Sequence, residues 1–435
     1  MLRTAAGKVS HLLLGAWLAG SAAAFDTTVD PATVEQVRSW RRDLHQHPEL
    51  GNRETRTAAL VARELTAMGY EARTGVAHTG VVAYLRGAAE RPLLALRADM
   101  DALPVTENTD LPFASTVTTE FHGQTVGVMH ACGHDAHVAI LLGAAARLAA
   151  QRDRLGGSLL LLFQPAEEGP PEGEEGGAQL MLKEGAFAAP RTPDAIVGLH
   201  VFSTLHAGEI GMRAGPIMAE SDSFQIQVRG VQTHGSQPWG GIDPILAAAR
   251  IVDGLQSIVS RRVDLTTNPA VVTVGAIKGG IRYNIIPDQV EILGTVRSFD
   301  ESTRLLIFAQ IEQLAQHTAQ AHGATSAVSF GRPSRVTVND IALSARLQPA
   351  LARAVAHGKS LREMPPLTIA EDFAFYANEV PGFYFFVGAT APELDPQTAP
   401  GNHSDKFMLD EAALAVGVKA LLEVTAEFFG TPDSR

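Results

Sequence analysis

Hydrophobic and polar positions change their period several times along the chain. Between Val34 and about Gly87, helical spacing in Glu54 to Met68 and the β-rich Gly80-Val-Val-Ala-Tyr-Leu-Arg86 predict two helices and two strands. Three short continuous apolar runs follow, Leu93 to Leu96, Ser158 to Phe163 and Ala195 to Gly198. Bounded by Gly and Pro and separated by helical segments such as Ala136 to Ala150, they suit strands buried on both faces of a parallel sheet. This part predicts an α/β fold.

Near residue 216 the pattern changes. Ser223 to Arg229 alternates as a strand, Asp243 to Arg262 is helical, and Ala270 to Ile277 and Asp288 to Arg297 are strands. Glu301 to His322 is a long amphipathic helix and Thr325 to Phe330 a last strand. The order β-α-β-β-α-β is that of a ferredoxin-like unit. Residues 336–430 return to helices, with a strand at Phe383 to Val387 and a terminal helix from Asp410 to Phe429. The expected organisation is a discontinuous α/β domain, 34–215 and 333–430, with 216–332 inserted as a second domain.

Residues 1–24 carry Arg3 and Lys8 but no acid, then an apolar stretch from Leu12 to Ala19, then Ser21-Ala-Ala-Ala24. This is the order of a secretory signal peptide cleaved near Ala24. The apolar stretch is shorter than the ~20 residues that span a bilayer. An exported protein, periplasmic or secreted and without a later membrane anchor, is expected. The 435 residues include 47 acidic and 35 basic side chains, a formal charge of -12, which argues against a nucleic-acid-binding surface. The single cysteine, Cys132, permits no intramolecular disulfide. It is either a small buried hydrophobe or a chemical group.

The segments after the apolar runs favour chemistry. Leu93 to Leu96 leads into Asp99-Met-Asp101, Phe163 into Glu167-Glu168, and Gly198-Leu199 into His200. Before the Ala136 helix stands His130-Ala-Cys132-Gly-His134-Asp135-Ala-His137, and before the last helix stands His403. Ligands of open α/β sheets lie outside the carboxyl ends of the strands. A donor set of thiolate, imidazole and carboxylate suits zinc, manganese, cobalt or nickel rather than calcium or magnesium. About five ligands exceed the three of a mononuclear catalytic zinc, so two metals about 3.5–4 Å apart are expected. Charge supports this, because Cys132, Glu168, a bridging hydroxide and nearby Glu167 offset two divalent ions. Glu167 is left free as general base. His122, His206, His317, His322 and His357 lack such a context, and His45 and His47 are ambiguous.

These segments resemble the amidohydrolase branch of the aminoacylase and carboxypeptidase-G-type metallopeptidases, which includes hippurate hydrolases and plant auxin-conjugate hydrolases. The resemblance is carried by Arg42 to Leu50, Leu96-Arg-Ala-Asp-Met-Asp-Ala-Leu-Pro104, Met129-His-Ala-Cys-Gly-His-Asp-Ala-His137 and Phe163-Gln-Pro-Ala-Glu-Glu-Gly169. Thr233-His-Gly-Ser-Gln-Pro238, Asn284-Ile-Ile-Pro287, Thr368 to Phe373 and Asn402-His403 continue it. It implies a zinc-peptidase-like catalytic domain with two divalent metal ions, zinc or manganese first, on Cys132, His134, Glu168, His200 and His403. Glu167 would be the catalytic base and Asp101 an acid that orients a ligand histidine. The inserted domain would be a lid that mediates dimerisation. From it His234 would stabilise the carbonyl oxyanion, while Asn284 and Arg297 hold a substrate carboxylate. Asp99 stands where most of the wider superfamily places a histidine ligand.

The expected function is therefore a metal-dependent amidohydrolase that cleaves N-acyl amino acids or related small conjugates. A dipeptidase or carboxypeptidase using the same metals would want an acidic partner for the substrate ammonium, for which Glu371 is the candidate. A periplasmic binding protein for small acids would not need Cys132, His134 and the Glu167-Glu168 pair together. A serine hydrolase lacks support, since no G-x-S-x-G elbow occurs.

Overall fold

The continuous apolar runs become the centre of an eight-stranded sheet. The computed structural model describes residues 26–331 and 334–430; the leader expected over residues 1–24 lies outside the described residues. Four adjacent parallel strands, Ser158–Gln164, Leu93–Asp99, Ala195–His206 and Gly382–Thr390, form the middle of the sheet. Every residue of the first, second and fourth is buried, which is why their sequences are mostly apolar rather than alternating, with Arg97 and Asp99 the buried charges among them. Gly80–Leu85 and Glu71–Val76 extend one side antiparallel, and Ile210–Met212 and Leu361–Glu363 extend the other.

Period-two geometry divides the strand side chains between two cores. Leu94, Leu96, Leu159, Leu161 and Val197 face one core with the helices Pro31–Gln46, Thr55–Ala67, His134–Ala149, Ile341–Ala354 and Ala412–Phe429. Leu93, Ala95, Leu160, Leu162 and Ile196 face the other, with the short helices Gly177–Lys183 and Phe373–Glu379. The His134–Ala149 helix is buried throughout residues 134–145, as expected of a helix apolar on all sides.

The Ala195–His206 strand is longer than its apolar run. Beyond Gly198 its burial alternates, and Phe386 and Val387 of the neighbouring strand pair with His200 and Val201. His200 thus stands in a strand where it leaves the sheet interior, not in a following loop.

A separate four-stranded antiparallel sheet is ordered Val271–Gly279, Gln289–Ser298, Glu220–Arg229, Thr325–Phe330. With the helices Pro244–Arg262 and Glu301–Ala321 it encloses its own core around Phe224, Ile251, Ile292 and Ile311. Asp243 and Asp300 cap these helices, each accepting from two backbone amides of the first turn. Chain entry and exit are joined, because Gly215–Met218 pairs with Thr337–Asn339. Among the described residues no helix is long and apolar enough to cross a membrane.

Candidate metal centre

At the carboxyl edge of the parallel strands, local backbone geometry brings separate segments together. Gly133 has φ 94°, and a Cβ there would lie 2.4 Å from the Val201 side chain. Glycine thus lets Cys132 and His134 turn toward the sheet edge at the start of the His134–Ala149 helix, whose positive end favours anions. Ala166 (φ 51°) and His403 (φ 71°) hold left-handed backbone that is costly for non-glycine residues. Glu54 stabilises the first by accepting from the Ala166 amide at 2.9 Å, and the His403 amide donates to the Ala131 carbonyl at 2.8 Å.

Donor atoms converge at this edge. The Cys132 Sγ lies 3.3 Å from His200 Nε2 and 3.2 Å from His403 Nε2, while Glu168 Oε1 lies 2.9 Å from His403 Nε2. Groups able to hold an ion within 4.8 Å are Cys132, His134 and His200; Cys132, Glu168 and His403; and His134, Glu167 and Glu168. Among the described residues two further groups, Asp99 with His134 and His137, and Glu167 with Glu371 and Asp372, adjoin them, and the thiol belongs to two of the five. The imidazoles are fixed from behind, His200 Nδ1 on the Val201 carbonyl at 2.6 Å and His134 Nδ1 on the Asp101 carbonyl at 2.8 Å. His134 Nε2 is buried and has no hydrogen-bond partner. A buried unpartnered nitrogen facing a thiol and two carboxylates fits a divalent ion.

Asp101 serves both sides of the cluster, with Oδ1 3.2 Å from His134 Nδ1 and Oδ2 accepting from the Glu168 amide at 2.9 Å. Asp99 also lies within ligand range of His134 and His137, yet both its oxygens are already engaged by the protein. His137 Nδ1 donates to Asp99 Oδ1 at 2.5 Å, and its Nε2 accepts from the Val201 amide at 2.8 Å. Both ring nitrogens of His137 are satisfied, and the second Asp99 oxygen accepts from Arg97 at 2.6 Å. Asp99 therefore fixes the floor of the centre.

Arg97 continues this floor. Fully buried, it donates to Gln164 at 3.0 Å, Glu371 at 2.9 Å and Asp372 at 3.0 Å, as well as to Asp99. Glu371 accepts further from Tyr384 Oη at 2.7 Å and the Phe373 amide at 3.0 Å. It is committed to the protein interior and is no free partner for a substrate ammonium. Oxygens of Glu371 and Asp372 nevertheless lie within 4.8 Å of Glu167. Burial and the charges of Glu371, Glu168 and Asp372 push the Glu167 carboxyl well above the usual carboxylate range. Burial also raises the Cys132 thiol, while burial and the neighbouring His137 hold His200 well below the usual imidazole range. Hydrogen bonds to Cys132 and Glu168 raise His403 to about 10. Divalent ions oppose the raised values of Glu167, Cys132 and His403 and act with the lowered value of His200, favouring thiolate, carboxylate and neutral imidazole.

Residues 95–427 match the model of peptidase family M20/M25/M40. The chain belongs to this family. It is 38% identical over 401 residues to thermostable carboxypeptidase 1 of Saccharolobus solfataricus, covering 91% of this chain and 97% of that one. It is 38% identical over 381 residues to IAA-amino acid hydrolase ILR1-like 4 of Arabidopsis thaliana, covering 87% and 82%. The solved structure of the YXEP protein of Bacillus subtilis, described as a dinuclear metal binding peptidase of the M20 family, superposes with a TM-score of 0.77. That match has 34% identity and covers 92% of this chain and 100% of that one. Family, fold and donor cluster together make this M20 chain a metal-dependent hydrolase.

In this M20 chain the remaining expected site residues lie on the four-stranded unit. His234 is exposed, its Nδ1 accepting from Ser236 Oγ at 2.7 Å. Among the described residues no hydrogen bond or ion pair joins His234, Asn284 or Arg297 to the donor cluster. Asn284 Oδ1 is buried without a partner, and Arg297 is part-buried. Arg97, Gln164, His137 and Asp372 fall within the segments that carry the resemblance but had no expected role, and Glu54 lies outside those segments. A charge inside the apolar run Leu93–Asp99 was the one available signal, at Arg97. His45, ambiguous in the sequence, is buried between Asp135 at 2.8 Å and Glu107 at 3.1 Å, away from the donor atoms.

Proposed function

We propose that this chain hydrolyses the amide bond of N-acyl amino acids or related small conjugates at two divalent ions held by Cys132, His134, Glu168, His200 and His403. The observation that carries this reading is the convergence of the Cys132 Sγ with two imidazole nitrogens at 3.2 and 3.3 Å, beside a part-buried Glu167 whose Oε2 is 4.0 Å from His134 Nε2. The sulfur, nitrogen and oxygen donors suit zinc or manganese, with cobalt or nickel also compatible. Such ions polarise an amide carbonyl and lower the pKa of water.

The chain's own residues supply the rest. Glu167 takes a proton from the attacking water and gives it to the leaving nitrogen. Asp101 holds His134 and the Glu168 backbone in one geometry. His234 stabilises the oxyanion from the lid, where exposed Trp239, Ile281 and Tyr283, at 81%, 98% and 95%, favour contact with a second copy. The reading is thus of a homodimer in which His234 reaches the partner's centre. Arg297, with no ion pair among the described residues, and Asn284 hold the substrate carboxylate. The leader pattern supports export.

Relatives named as amino-acid conjugate hydrolases favour the amidase reading, and one named a carboxypeptidase favours peptide cleavage at the same ions. Commitment of Glu371 to Arg97 and Tyr384 weighs against a free-amine substrate. Kinetics on N-acetyl, N-benzoyl and N-indolylacetyl amino acids and on the matching dipeptides, with and without chelator, decide between them. Turnover that persists after complete metal removal would overturn the metal mechanism. Faster cleavage of dipeptides would overturn the amidase reading.

A further inference from the structure

Building on the proposed acyl amino acid hydrolysis, we infer that a cavity beside the donor cluster receives the acyl half of the substrate and selects a bulky, uncharged, apolar group. The cavity holds about 580 Å³, within the ~300–1,000 Å³ usual for small-molecule sites. Its lining includes Asp101 and Glu168, two residues of the donor cluster joined by a 2.9 Å hydrogen bond. A carbonyl at the cluster therefore has this space next to it.

Apolar side chains form one part of its wall. Leu103, Pro104, Val117, Phe121, Val128 and Pro170 come from the segment after Asp101, the Thr118–Phe121 and Gln124–Gly127 hairpin, and the loop after Glu168. Two reciprocal backbone hydrogen bonds between Leu103 and Met129, at 3.0 Å, tie the base of the hairpin to the first segment. A lone two-stranded hairpin is marginal in water, so this anchoring holds the wall in place.

Charge decides which end of the substrate enters. Arg53, a cation among the lining residues, is paired with Glu174 at 2.6 Å. Glu49, Glu120, Glu168 and Glu172 also line the space. A substrate α-carboxylate is repelled there. Glu49 accepts from Thr55, Arg56 and Thr57, Glu120 from Thr125, and Glu168 pairs with His403, so of the four only Glu172 is left to meet a substrate ammonium. The amino-acid half then lies away from the cavity and the acyl half within it.

The test measures kcat/KM of the metal-loaded full-length protein for N-acetyl, N-benzoyl and N-indolylacetyl derivatives of one amino acid, with the corresponding dipeptide alongside. Val117→Trp fills the cavity and should lower the benzoyl-to-acetyl ratio by about tenfold or more, since single pocket groups discriminate by ~10–200-fold. Phe121→Ala, on the surface hairpin, should move preference from benzoyl toward indolylacetyl. Circular dichroism and thermal melting establish that both variants are folded. Unchanged acyl ratios in both folded variants would overturn the assignment while wild-type turnover leaves the amidase reading standing. Altered selectivity among amino-acid halves at constant acyl group would likewise overturn it. If wild type cleaves dipeptides but no N-acyl derivative, the amidase reading fails and this assignment with it.

Discussion

Cys132 is 7% exposed and pushed up in pKa by burial, so in the bare protein it behaves as a small hydrophobe with a protonated thiol. A coordinated ion deprotonates a thiol outright, which turns the same atom into an anionic ligand. Cys132→Ser should leave the fold intact while lowering metal content and turnover together, by more than the ~10–100-fold typical of residues that merely support a ligand. Elemental analysis and kcat on the same preparation check this. Glu167→Gln should separate the two readouts, retaining metal while kcat falls by ~10²–10⁴. Arg97 belongs to stability. Replacing it by Met leaves Asp99, Glu371 and Asp372 without their buried cation and should cost about 3–5 kcal/mol in denaturant unfolding. Cys132, Glu167 and Glu168 were legible in sequence because reactive residue types at successive strand ends form a pattern. The partners of Arg97 were not, since Gln164, Glu371 and Asp372 lie 67, 274 and 275 positions away and no local period connects them.

Elements were readable in proportion to their length and uniformity. Leu93–Asp99 and Ser158–Gln164 are apolar runs buried on both faces, whereas Ile210–Met212, Leu361–Glu363 and Thr337–Asn339 have three residues each and no room for a period. The Glu220–Arg229 strand starts three residues before its expected start at Ser223, and those residues carry a titratable device. Glu220 accepts from Ser298 Oγ, lies 3.7 Å from Arg304 Nε, and neighbours Asp222 and Glu301. Arg304 is already engaged by Asp222 in two hydrogen bonds of 2.8 and 2.9 Å. Burial first, then Asp222 and Glu301, push Glu220 up from 4.5 to about 7. Between these values the folded state binds more protons than the unfolded one, so this contribution to stability is present at low pH and is lost as pH rises toward 7. Calorimetry from pH 5 to 8.5 should show a melting temperature that falls less steeply for Glu220→Gln than for wild type. Parallel curves for the two proteins would refute the role of Glu220.

At the scale of the whole molecule, the proposed metal ligands gather at one edge of the eight-stranded sheet, His200 from a strand and the others from adjoining segments, while His234, Asn284 and Arg297 belong to the unit built around the four-stranded sheet and its own core. Within one chain His234 faces solvent with Ser236 as its hydrogen-bond partner, so an oxyanion role requires either a large lid movement or a second subunit. Exposed Trp239, Ile281 and Tyr283 on the same unit favour the second subunit. Subunit mixing distinguishes the alternatives. Glu167→Gln lacks its base and His234→Ala lacks its oxyanion donor, so each homodimer should be nearly inactive. In a mixed dimer with exchange of His234 between subunits, the centre that keeps Glu167 receives an intact His234, and the other centre receives neither. An equimolar random mixture holds mixed dimers as about half its population, each with one working centre of two, which predicts about a quarter of wild-type activity. If His234 acts within its own chain, no combination restores a complete centre and the mixture stays inactive. Unfolding and refolding the two variants together, then comparing turnover with sedimentation of the mixed species, gives the answer without a new structure.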